Sequence, residues 1–263
     1  MKICKLFLFL SLFTALPLIS NASVEVIGSL KHVHNGKPGD VIKGEIRIHN
    51  NDSTDQEVKV YQTDLLYNLQ ENTFYDEPGS HNRSNALWIQ FSPKSVILKA
   101  KEVRIIQYEM TLPLIDTLKG TYWSVLMVEG VVPIDPNQKG DLSIRTVTRY
   151  AIQVVTEIAD KGVGSLKFLE PTLVKEGDKL FLAIDLVNNG EHYIAPEVSI
   201  ELFDEKGTSV KVISATRKGL YPSTSTRFSF DLEGIPGGKT YQVMIVAAGQ
   251  ENDVFGLEYK LFF

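Results

Sequence analysis

Residues 87–130 read LWIQFSPKSVILKAKEVRIIQYEMTLP and then, after the six residues LIDTLK, GTYWSVLMVEG. Apolar and polar residues alternate there in short runs cut by Pro, Lys and Gly. Period-two alternation turns successive side chains to opposite faces of a strand, so Val103, Ile105 and Gln107 share one face while Arg104, Ile106 and Tyr108 share the other. An amphipathic helix needs apolar positions every three to four residues and cannot be built on this pattern. The chain is therefore restricted to stacked β-layers with a core between them.

The same pattern recurs along the rest of the chain. Strands are expected at 24–33, 41–49, 56–66, 88–91, 96–98, 103–112, 122–129 and 142–158. Asn35-Gly36-Lys37-Pro38-Gly39 punctuates a hairpin, and Asn50-Asn51-Asp52-Ser53 makes the next turn. The polar stretch 68–86 reads as a crossover between sheets. Residues 159–164, with Asp160-Lys161-Gly162, have the composition of an interdomain linker. A second set of strands follows at 166–173, 179–187, 197–203, 210–216, 226–232, 241–247 and 254–263, separated by turns such as Asn188-Asn189-Gly190 and Pro236-Gly237-Gly238. The expected architecture is all-β, with two tandem immunoglobulin-like sandwiches over 23–158 and 165–263.

Residues 1–22 read as a secretory signal peptide: Lys2 and Lys5 precede an apolar run over 6–19, and Ser20 and Ala22 lie before the cut. That run is shorter than the roughly 20 residues a membrane-spanning helix requires. Cys4, the single cysteine, leaves with the leader, so the mature chain has no thiol and is held by packing alone. The formal net charge is −5, and loss of Lys2 and Lys5 makes it more negative. Without clustered Lys and Arg, nucleic acid is excluded as a partner. No later apolar run reaches membrane-spanning length, and the leader makes the periplasm or the outside of the cell the expected location.

Catalytic signatures are missing. There is no G-x-S-x-G, no H-E-x-x-H and no Gly-rich phosphate cradle between a strand and a helix, so neither an enzyme nor a cofactor is expected. His32 and His34, two apart on one strand, point the same way and could chelate a metal only with a third ligand; a surface strand face is the simpler expectation. Trp88 and Trp123 fall inside strand patterns and are expected to pack between the sheets. Tyr67, Phe74 and Tyr75 flank the polar stretch, and with Trp88 they could form a platform for a glycan or cell-wall polymer.

The segments GDVIKGEIRIHNNDS, WIQFSPKSVILKAKEVRIIQYEMTLP and GTYWSVLMVEG resemble the N-terminal domain of periplasmic pilus chaperones. Over the whole mature chain, including SLKFLEPTLVKEGDKLFLAIDLVNNGEHYIAPEVSIELFDEKG, the proportions resemble WxL-interacting proteins. The first resemblance implies a chaperone-like protein in pilus assembly that binds a pilin-like subunit by lending it a long strand. Two basic residues would grip the subunit's terminal carboxylate. In the strand 142–158, Leu142, Ile144, Tyr150, Ile152 and Val154 share one face, with Arg145 and Arg149 on the other; Arg149 best matches the basic anchor, and the first strand offers Lys31. The second resemblance implies binding to a cell-wall polymer or surface protein. Neither implies a catalytic residue.

Overall fold

A computed structural model describes residues 23–70, 72–131, 147–250 and 253–263. The expected leader and the expected partner-binding residues Leu142, Ile144 and Arg145 lie outside the described residues.

The first module contains β1 (Val24–Ile27), β2 (Lys31–Gly36), β3 (Val41–Asn50), β4 (Gln56–Tyr67), β5 (Thr73–Asp76), a 3-10 turn at Ala86–Trp88, β6 (Ile89–Ser92), β7 (Ser95–Leu98), β8 (Val103–Thr111), β9 (Thr121–Val131) and β10 (Arg149–Ile158). One sheet has the order β1-β3-β8-β6, the other β2-β10-β9-β4-β5, with β7 also paired to β4. Their inner faces meet over a core that includes Ile46, Ile106, Met110, Leu126, Ile152 and Val154. Each such buried side chain contributes about 1.5–3 kcal/mol, enough to hold a sandwich without disulfides.

The single strand expected over 24–33 is instead two strands in different sheets. Gly28 has φ of +104°, a backbone conformation that side chains with a Cβ disfavour, and the chain changes sheets between Ile27 and Lys31. β1 then pairs antiparallel with β3, whereas β2 runs parallel to β10. The Asn35–Gly39 turn accordingly joins strands of opposite sheets rather than closing a hairpin.

β9 is apolar on both faces. Leu126 and Val128 enter the core, while Trp123, Val125 and Met127 join Leu65, Val155 and Tyr221 in a separate cluster on the opposite face. Trp123 is buried, as expected, but on the outer face of its sheet and not between the sheets. The strand has a second apolar face because the second module covers it.

That module contains β11 (Leu166–Phe168), β12 (Thr172–Glu176), β13 (Lys179–Asn188), β14 (Glu197–Phe203), β15 (Ser209–Ser214), β16 (Ser225–Asp231), β17 (Thr240–Ala248) and β18 (Val254–Phe262). β13 lies between β16 and the short β11 and β12; the facing sheet runs β15-β14-β17-β18. The strand expected over 166–173 is interrupted before Pro171, which has no N–H for a ladder. Phe228, Phe230, Leu182, Ile184, Val243 and Ile245 fill the core. The protein thus consists of two immunoglobulin-like β-sandwiches in tandem. Among the described residues no helix is long and apolar enough to cross a membrane.

Candidate functional site

β10 has a partner along its whole length on one side only. β9 accompanies it from Arg149 to Glu157, but β2 begins opposite Gln153, where Lys31 is the register partner, and ends with Gly36 opposite Ile158. The first hydrogen bond on the β2 side is Gln153 N–H to the Leu30 carbonyl, 2.8 Å; Ile158 N–H points the other way, to Gly120 at 2.9 Å. Backbone groups alternate between the two neighbours along a strand. Arg149 and Ala151 therefore turn their N–H and C=O toward an edge where, among the described residues, no strand pairs. Ile27, Leu30 and Val33, each more than two-fifths exposed, lie along the β1–β2 switch that ends at this edge.

The outer face of the β2–β10 pair abuts the second module. Lys31 opens β2 with its ammonium 3.5 Å above the Tyr193 ring and 5.2 Å from that of Tyr221. Burial pulls its pKa down, and the Glu157 charge partly offsets that pull. Tyr221 is 2% exposed and stacks on Trp123 at 4.4 Å with the planes 13° apart. Its hydroxyl donates to Gln153 Oε1 at 2.7 Å, and burial pushes its pKa up. Further bonds tie the modules together: Tyr67 donates to the Gly219 carbonyl at 2.6 Å, and Tyr193 N–H donates to Thr121 Oγ1 at 2.8 Å. Gly219 is required there, because a Cβ would overlap the Tyr193 ring.

On the far side of Trp123, whose indole N–H donates to the Leu65 carbonyl at 2.7 Å, the His81 ring stacks at 4.4 Å. Burial depresses the His81 pKa, against the pull of the Asp64 carboxylate. Asp64 is fully buried and accepts hydrogen bonds from Ser80 N–H, Ser80 Oγ and Ser84 Oγ, fixing the stretch that follows β5. A small cavity of about 60 Å³ lies at the same junction, bordered by Glu157, Lys161, His192 and Asp253. It has room for a few water molecules.

The expected site residues are spread apart. Arg149 is exposed, with its Nε 2.8 Å from Glu129, which also accepts from the Tyr61 hydroxyl. It lies four register positions from the residue opposite Lys31, about 13 Å along the strand. The inward face of β10, with Ile152 and Val154 and the half-buried Tyr150, packs into the chain's own core. Of the four rings proposed as a platform, Phe74 and Tyr75 are nearly half exposed; Tyr67 is taken up by the module junction and Trp88 packs on Tyr122 at 4.8 Å. His32 and His34 turn inward to Tyr108 rather than outward to solvent. Tyr193 and Tyr221 escaped the strand periodicity because they lie in the segments HYIAP and GLYPS between strands, where no alternation singles out the ring.

No protein-family model matches the chain, and no curated protein matches it. Solved structures of similar fold include the chaperone–tip adhesin complex of CFA/I fimbriae, at 15% identity and TM-score 0.49, covering 91% of this chain and 98% of that one. The Escherichia coli chaperone DraB is 13% identical with TM-score 0.43, covering 91% and 98%. The Pseudomonas aeruginosa chaperone CupB2 is 12% identical with TM-score 0.42, covering 90% and 100%. At these identities and TM-scores, the functional reading rests on the chain's own residues.

Proposed function

We propose that this chain is a non-enzymatic, exported protein of the bacterial envelope that holds a protein subunit by pairing one of the subunit's strands with β10, as a chaperone-like factor in the assembly of surface structures. The observation that carries the reading is the one-sided pairing of β10 over 149–152. An unpaired edge is a template for an added strand, with main-chain hydrogen bonds giving affinity and alternate side chains giving selectivity. Arg149 and Ala151 would contribute through their backbone. Each new bond contributes about 0.5–1.5 kcal/mol net. Exposed Ile27 and Leu30 supply apolar contact beside the edge.

Lys31 supplies the charge. Its ammonium is half desolvated over Tyr193, and among the described residues no carboxylate lies within ion-pair distance of it. A partner's carboxylate entering between the modules would restore the solvation it has lost. The resemblance to pilus chaperones supports a pilin-like subunit as that partner.

The test is Ala151→Pro. Proline removes an N–H that has no strand partner among the described residues and leaves the β9 ladder intact, so the variant is expected to fold. Co-expressed with a subunit whose sheet lacks a strand, the parent protein is expected to co-purify with it; Ala151→Pro is expected to lose it and Lys31→Met to weaken it. Equal recovery with Ala151→Pro of native circular dichroism refutes edge pairing.

A further inference from the structure

We propose that His32, His34 and Tyr108 form a binding site for a divalent transition-metal ion, copper(II) in preference to zinc(II), that ties the edge strand β2 to the opposite sheet. The two histidines stand two residues apart on β2 and present their rings to the same side. Tyr108 comes from β8 in the facing sheet, and its hydroxyl lies 2.9 Å from His32 Nδ1 and 2.7 Å from His34 Nε2. Three donor atoms on two sheets thus converge. An ion with bonds of about 2.0–2.1 Å holds adjacent donors roughly 3 Å apart, close to these spacings.

Two surroundings prepare the cluster. His32 Nε2 lies 3.1 Å from the Ser29 carbonyl. With the proton on Nε2, it donates there and leaves the Nδ1 lone pair aimed at the cluster. Such a backbone partner on the remote nitrogen is what sets the tautomer of a metal-bound imidazole. The second is Gly44 on β3, the register partner of Tyr108. A Cβ at that position would overlap the Tyr108 ring, so the glycine opens a lane by which the side chain crosses β3 to reach β2.

The Tyr108 hydroxyl donates to one imidazole and accepts from the other, so a clasp satisfies both histidines in the free protein; a bound ion would replace that clasp with two imidazole nitrogens and the phenol oxygen as its donors. Among the described residues no three His, Cys, Asp or Glu side chains gather at one point, and here the third donor is a phenol oxygen. Two imidazoles and an oxygen suit copper(II) and zinc(II), and copper(II) binds the more strongly to such donors. β2 is the outer strand of its sheet and both rings are only half buried, which leaves a path from solvent and room for a water as the fourth ligand. The site is independent of the strand-pairing reading.

The experiment uses the mature chain without an affinity tag, titrated with copper(II) and separately with zinc(II). Calorimetry, thermal denaturation and copper electron paramagnetic resonance provide the readouts. The expected result is one ion per chain, a rise in Tm with either metal that is larger for copper(II), and coupling to two nitrogens. His34→Gln is expected to lose the Tm rise and one nitrogen. Tyr108→Phe is expected to keep both nitrogens with weaker binding, and His49→Gln to change nothing. No saturable binding of copper(II), or binding to His34→Gln and to a His32→Gln/His34→Gln variant equal to that of the parent, overturns the proposal and leaves an ordinary hydrogen-bonded clasp.

Discussion

Gly44→Ala sets local propensity against tertiary packing. Alanine restricts an unfolded backbone more than glycine does, and in a strand the exchange alone favours the folded state by roughly 0.5–1 kcal/mol. The packing predicts the opposite sign. The added methyl would lie 2.6 Å from Tyr108 Cε2 and closer still to Cζ and Oη, in a ring only 2% exposed. Displacing the ring breaks its bonds to His32 and His34, each contributing about 0.5–1.5 kcal/mol, and forcing extra volume into a packed core costs about 1–3 kcal/mol. The expected net loss is about 3 kcal/mol. For a slope of about 1–3 kcal/mol per molar urea, the unfolding midpoint drops by about 1 M or more. In a Tyr108→Ala background the ring is gone, and the same substitution should cost nothing, which a double-mutant cycle measures as coupling. A midpoint for Gly44→Ala equal to or above that of the parent refutes the reasoning.

Tyr221→Ala removes the ring that stacks on Trp123 and bonds Gln153, and is expected to destabilise by about 3–5 kcal/mol. Calorimetry should then resolve separate transitions for the two modules, whereas a single unshifted transition counts against the aromatic junction as their coupling. His81 has a folded pKa below its ordinary 6.5, so the unfolded chain binds the extra proton first. Its contribution is complete above about pH 6.5 and is lost as the pH falls from there toward the depressed folded value. His81→Gln should reduce the slope of stability against pH in that window; an unchanged slope contradicts the burial of a neutral imidazole against Trp123.

Much of the architecture was legible because strand periodicity is local. The run EVSIELF was expected as a strand over 197–203, and β14 spans Glu197–Phe203 with alternate residues buried. The run WSVLMV was expected within a strand and β9 spans it, but the covering of its second face was not read from it, since nothing local identified the second module as the cover. The division of 24–33 into two strands was not legible, since the alternation continues through Gly28 whichever sheet the chain joins. Lys31 was visible as the basic residue of the first strand. Its place over Tyr193 depended on a turn more than 150 residues away.

The amino-acid sequence by itself determined the β-layered class and the tandem arrangement, because alternation and turn chemistry are properties of neighbouring residues. Tertiary structure alone decided that β2 stops short of the first residues of β10, that Tyr108 reaches a pair of histidines, and that Trp123 faces the second module. Those outcomes follow from strand register and sheet order, which join residues distant along the chain and leave no periodic mark in any one segment.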